Sequence, residues 1–244
     1  NASGGTYVSW SWKANGGTTS TNNDGSQAST VQANDDAGFS IVKWTGNGSA
    51  AKTLGHGLSS APKMVIVKKL GASQDWWVYH NNVDGSAPAR YWVSLNKDDA
   101  RGDNGASGGS LFNSTSPTSS VFSTGTTLQE SSDYIAYCFA DVDGYSSLGG
   151  YTGATGGKSI TTGFQPDFIM VKSTSNVENW AILDSSRGTG KVTNPNRNNA
   201  EGSSNLNTFT VSSTGFAFPH QNVADAMLNE NNYEYIYAAF KMNS

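Results

Sequence analysis

Lys63-Met-Val-Ile-Val-Lys68 is the stretch that decides the fold. Met64 and Ile66 alternate with Val65 and Val67, so both faces of an extended segment are apolar. Such a strand is central and buried on both sides. The run returns as Asp167-Phe-Ile-Met-Val-Lys172, at a spacing of 172 − 68 = 104. Pro62 and Pro166 stand just ahead of the two runs, where a missing N–H is tolerated. Gly57 and Gly163 permit a tight turn before them. Lys68 and Lys172 are expected where each strand meets solvent.

The repetition extends outward from these runs. Trp76 returns as Trp180 at the same spacing. Trp44-Thr-Gly46 is matched by Tyr151-Thr-Gly153, and Gly57-Leu58 by Gly163-Phe164. A closing run, Tyr134-Ile-Ala-Tyr-Cys-Phe139, recurs as Tyr235-Ile-Tyr-Ala-Ala-Phe240 and once earlier as Tyr7-Val-Ser-Trp-Ser-Trp12. Self-similarity of this kind marks duplicated β modules. The division it suggests is 1–37 as the terminal strand of a preceding copy plus a polar linker (Asn15 to Asp36), 38–143 as one copy and 144–244 as a second. The two copies are expected to be able to pack as one domain. The alternative for Tyr7–Trp12 is a strand that completes a sheet within the present unit. The other apolar runs also have period two, are rich in β-branched and aromatic residues, and are bounded by Gly, Asn, Asp, Ser or Pro. One short turn is expected at Ala224–Asn229. The expected fold is all-β, a jelly-roll-like β-sandwich built from two tandem copies of one strand-rich module.

Composition narrows the function classes. Charged residues are 14% of 244, against roughly 25% in an average soluble domain. The net charge of −4 gives no basic face for phosphates, so nucleic-acid binding is not expected. No apolar run is long enough to span a membrane. The single Cys138 excludes an intrachain disulfide and reads as a buried, inert thiol in a strand. The start, Asn1-Ala-Ser-Gly-Gly-Thr6, has no Met, basic region or apolar core. It reads as a cut from something longer, with no signal peptide.

No catalytic constellation stands out. His56, His80 and His220 show no zinc-ligand spacing, and there is no nucleophile elbow or phosphate cradle. No cofactor is expected. The scarce glutamates, including Glu178 and Glu234 near strand ends, read as surface acids. Asp141-Val-Asp143-Gly144 is the weak candidate for calcium, although Asp-rich turns usually bond their own backbone. Arg101-Gly102-Asp103 spells an integrin-binding tripeptide in a polar loop. The aromatic pairs Trp76-Trp77 and Tyr91-Trp92 are the best lead, because a strand sends neighbours to opposite faces. Trp76, whose counterpart is Trp180, is expected in the core. Trp77, Tyr91 and Trp92, with Asn81 and Asp103, are the tentative ligand-binding residues.

The run Gly38-Phe-Ser-Ile-Val-Lys-Trp-Thr-Gly-Asn-Gly-Ser49, then Gly55-His-Gly-Leu-Ser-Ser-Ala-Pro-Lys-Met-Val-Ile-Val-Lys68, resembles a repeated β domain of virion proteins. That domain occurs in tail and other virion proteins of tailed phages, notably those of marine and cyanobacterial hosts. Trp76–His80, Ala140–Ser146, Gly150–Gly153, Gly163–Lys172 and Tyr235–Lys241 share the resemblance, which runs from about residue 38 to the end. Gly188 to Ser204 departs from it. The resemblance brings no catalytic residues with it. It implies a non-enzymatic virion structural protein, a tail fibre or other exposed tail component, assembled in the host cytoplasm. Its partners would be other virion subunits, a homo-oligomer (a trimer by analogy) and host-surface glycan. The alternatives are a glycan depolymerase, which needs two carboxylates across a cleft, and a glycan-binding module of a bacterial surface protein.

Overall fold

The computed structural model describes residues 4, 7–48, 50–105, 109–203, 209–220 and 226–242. In chain order the strands are β1 (Ser20–Asn22), β2 (Ser29–Asn34), β3 (Phe39–Thr45), β4 (Lys52–Gly55), β5 (Met64–Lys69), β6 (Trp76–His80), β7 (Tyr91–Ser94), β8 (Gly102–Asp103), β9 (Val121–Thr124) and β10 (Asp133–Phe139). They continue as β11 (Ser146–Thr152), β12 (Lys158–Thr161), β13 (Phe168–Ser173), β14 (Ala181–Asp184), β15 (Lys191–Val192), β16 (Gly202–Ser203), β17 (Thr210–Ser212), β18 (Gly215–Phe218) and β19 (Glu234–Phe240). The fold is all-β and antiparallel in its ladders, as the period-two patterning predicts.

Two large sheets carry the structure. The first has the order β1-β2-β3-β10-β5-β6-β7-β8, and the second β11-β19-β13-β14. A bridge from Ile182 to Thr193 continues the second sheet towards β15 and β16. The order β3-β10-β5-β6 thus matches β11-β19-β13-β14. The registers match too: Lys68 pairs with Ile135 and Trp76, and Lys172 pairs with Ile236. Each large sheet is backed by a small one, β4-β9 on the first and β12-β18-β17 on the second.

The layers enclose three apolar clusters. One lies between the first sheet and β4-β9, around Trp44, Val65, Val67 and Phe122. Another lies between the second sheet and its small partner, around Ile169, Val171 and Phe216. The middle cluster joins the two large sheets face to face, through Met64, Ile66 and Phe139 on one side and Phe168, Met170 and Phe240 on the other. β5 and β13 each feed an outer cluster with one face and the middle cluster with the other. This accounts for their continuous apolar sequence. Phe139 and Phe240, at matching places in the two sheets, meet across the seam with ring centroids 5.7 Å apart.

Local pairs recur in both halves. Trp44 stacks on Tyr134 at 5.1 Å, and Tyr151 on Tyr235 at 4.9 Å. The Trp44 indole N–H donates to the Leu128 carbonyl, and the Tyr151 hydroxyl to that of Leu228. Gly46 and Gly153 follow these rings. A Cβ at either would run into a carbonyl, of Glu130 or Glu230 respectively, so the Trp-Thr-Gly and Tyr-Thr-Gly motifs are steric requirements.

Several expectations are corrected. The supposed linker from Asn15 to Asp36 holds β1 and β2, and β2 pairs with β3 from Asn34↔Phe39 to Thr30↔Lys43. Its alternating small residues bury Ser29 and Val31, a weak apolar signal. Tyr7–Trp12 forms no ladder, either as a preceding strand or within a sheet. It instead lends two rings to the seam: Trp12 meets Phe139, Phe168 and Phe240 edge-on, and Trp10 meets Phe168. Lys172 does not meet solvent; it is fully buried, and its ammonium donates to the Ser173 carbonyl at 2.7 Å and the Asp98 carbonyl at 3.3 Å. Burial pulls its pKa down to about 8. Of the Ala224–Asn229 turn, residues 224 and 225 lie outside the described residues.

Phe240 is 2% exposed and touches four other rings of the seam. Phe240→Ala is expected to lower stability by about 3–5 kcal/mol, read from the urea unfolding midpoint. A loss below ~1 kcal/mol would show that the seam relaxes around the deletion.

Candidate functional site

The five tentative ligand-binding residues do not form one open surface. Trp77 is 6% exposed and belongs to the first outer cluster. Trp92 is half-buried against the same cluster, and a Cβ on Gly102 would run into its indole. Tyr91 carries two guanidinium groups over its ring, Arg90 at 5.4 Å and Arg101 at 5.2 Å from the centroid. Asp103 pairs across β7–β8 with Tyr91, and Arg90 grips its carboxylate with two bonds of 2.6 Å. Those bonds, and then the Gly105 N–H, hold the Asp103 carboxyl below its ordinary range. Asn81 sits in the turn after β6, its N–H donating to the Lys63 carbonyl. The structure therefore brings Tyr91 and Asp103 together and leaves Trp77 and Asn81 apart from them.

The tripeptide Arg101-Gly102-Asp103 is tied down at both charges. Arg101 bonds Glu234 at 2.5 Å and approaches Asp84 at 3.3 Å, while Asp103 is held by Arg90. The weak calcium candidates fare similarly. Asp141 takes the Lys63 ammonium on one carboxylate oxygen and the Leu148 N–H on the other, whereas Asp143 is exposed in the turn. Among the described residues, no group of three or more His, Cys, Asp or Glu side chains could hold a metal ion.

Carboxyl groups elsewhere are similarly engaged. Partial burial pushes the Asp184 carboxyl up, but bonds from Ser186 and the Trp10 indole outweigh it and leave its pKa lowered. Asp75, Asp84 and Asp133 are also held low, with Lys97, the Ser86 turn and Thr45 as the respective hydrogen-bond donors. A glycosidic general acid requires the opposite shift. Cys138 is fully buried, which pushes its thiol up to about 12 and leaves it unreactive.

Two histidines serve the fold. His56 Nδ1 accepts the Leu58 N–H, and its Nε2 faces the Thr118 carbonyl at 3.1 Å. His80 repeats the arrangement with the Asn82 N–H, and its Nε2 faces the Tyr237 carbonyl at 3.2 Å, across the seam. Each ring is thus neutral and protonated on Nε2.

One surface that remains open among the described residues is an aromatic platform on the seam-facing side of the first sheet. Trp76 and Tyr137, both half-buried, lie with ring planes 16° apart and centroids 6.5 Å apart. Leu95, Asn96 and Pro195 line a hollow beside Trp76. The Trp76 N–H donates to Asn96 Oδ1 at 2.9 Å, and Asn96 in turn bonds Asp75. The second half repeats this clamp: the Trp180 N–H donates to Asn196, which bonds Asn179. The two rings nevertheless have different fates. Trp180 is 1% exposed and its indole N–H donates to the Ser94 carbonyl across the seam. The Trp76 indole N–H has no partner among the described residues and reaches solvent. Trp76, expected in the core, packs half-buried against the middle cluster, whereas Trp77, offered as a ligand-binding residue, is the more deeply buried of the pair. Strand alternation separates the two rings but does not say which face each takes.

Geometry of this kind defines a multilayered β-sandwich whose polar groups are largely committed to holding the layers in place. The chain belongs to the family described as a domain of unknown function (DUF7483), whose model matches residues 1–243. No curated protein and no solved structure matches the chain.

His80 is buried, and desolvation pulls its pKa down to about 4 from 6.5. The folded state therefore prefers the neutral ring. This contribution is complete above pH 6.5 and is lost as pH falls towards 4, by on the order of 3 kcal/mol. His80→Gln is expected to flatten that part of the stability–pH curve; an unchanged slope between pH 6.5 and 4 would show that other groups cause it.

Proposed function

We propose that the chain is a non-enzymatic structural module of a phage virion, a tail fibre or another exposed tail component, whose open aromatic surface contacts host glycan. The observation that carries the glycan reading is the Trp76–Tyr137 platform. Near-parallel rings on a rigid sheet suit the apolar face of a sugar, and Asn96 beside them is a hydrogen-bonding side chain. The place in a virion rests on the resemblance along residues 38–244 and on physical economy. Matched strand orders support reading the chain as two copies of one module. Low charge and sheets locked through a shared core suit a part that holds surfaces in place. A buried thiol and a fold without disulfides suit assembly in a host cytoplasm.

The test is binding of purified protein to polysaccharide from a susceptible host. Trp76→Ala and Tyr137→Ala are each expected to weaken retention roughly tenfold, about 1.4 kcal/mol, measured well below each variant's unfolding midpoint because both rings also pack against the middle cluster. Retention equal to the unaltered protein in both variants would remove the platform from host contact.

A further inference from the structure

We propose that β11 is the contact edge of a symmetric dimer, pairing antiparallel with β11 of a second copy of this chain. The inference starts from an asymmetry between the halves. In the first sheet β3 carries β2 along its outer side, Thr30 opposite Lys43 and Gln32 opposite Ile41. The matching side of β11 carries no strand among the described residues, where β11 ends its sheet. The same side of the small sheet is open as well. A Cβ on Gly57 would meet Val31 and Ala33 of β2, whereas one on the matching Gly163 would meet nothing within 4 Å.

The free groups on β11 can be named. Antiparallel pairing turns alternate residues towards β19 and away from it. Ser146 faces away and exchanges backbone bonds with Val142; the Leu148 N–H faces away and is taken by the Asp141 carboxylate. That leaves the Leu148 carbonyl, the Gly150 N–H and carbonyl, and the Thr152 N–H and carbonyl without partners among the described residues. Gly150 and Thr152 are exposed. At seven residues β11 is the longest strand at a sheet edge among the described residues, and Ser-Ser-Leu-Gly-Gly-Tyr-Thr contains no proline and no charge. Edges that must stay single usually carry one or the other.

A second β11 fits this edge by register. With Gly150 opposite Thr152 of the second copy, and Thr152 opposite its Gly150, each of the two pairs exchanges both backbone bonds, so the free N–H and carbonyl groups of both residues are used. Tyr151 then lies at the axis. The ladder stops short of Leu148, whose N–H stays with Asp141. A two-fold contact of this kind is self-complementary and closes after two copies, so it predicts an even assembly in place of a trimer.

Sedimentation across a concentration series from low micromolar upward tests the proposal. The unaltered chain is expected to dimerise. Thr152→Pro removes an outward N–H and no bond to β19, so it is expected to raise the dissociation constant at least ~10-fold with the unfolding midpoint retained. A monomer at every concentration, or a dimer unaffected by Thr152→Pro, overturns the proposal. Should that variant fail to fold, hydrogen exchange on the unaltered chain decides. Amides of Gly150 and Thr152 that slow as concentration rises support the edge contact, and exchange independent of concentration rejects it.

Discussion

The structure depends on mutual burial of its two large sheets. Each has an outer face covered by its own small sheet and an inner face packed against the other large sheet. Phe139, Phe168 and Phe240, joined by Trp12 from the amino-terminal segment, fill that seam edge to face. Burial of such rings is the main favourable term available to a chain with this little charge. Without the seam, β5 and β13 would expose apolar residues along one whole face.

The polar groups follow from the same constraint. Burying the seam also buries backbone and side-chain polar atoms, and each needs a partner. Lys172 answers two carbonyls, His80 and Trp180 answer carbonyls of the opposite half, and Arg101 links β8 to Glu234 of β19. Groups that look like chemistry in isolation, an Arg-Gly-Asp tripeptide or a depressed lysine, are ties between layers. Trp76 stands out against this background because its counterpart Trp180 is tied and it is not.

Much of the fold was legible in the sequence. The doubly apolar runs at 64–67 and 168–171 identify central strands because only a strand covered on both faces can be apolar on both. The recurrence of Trp-Thr-Gly and Tyr-Thr-Gly marks a ring stack closed over a carbonyl, where a side chain at the glycine would not fit. Other features were hidden for equally physical reasons. β2 is stabilised by pairing with β3 and by small buried residues, so its sequence reads as a polar linker. Trp10 and Trp12 alternate as a strand would, yet they serve as packing rings on a segment without a ladder. The open platform was the least legible part: Trp76 and Trp180 share a position and a clamp, yet only Trp180 is fully buried.

On the proposed reading the chain functions where it is mounted in a virion. The most direct measurement is mass spectrometry of gradient-purified phage particles from the source of this chain. The account predicts its peptides in the particle fraction at the abundance of other tail subunits. Peptides confined to the soluble lysate, with none in purified particles, would contradict it.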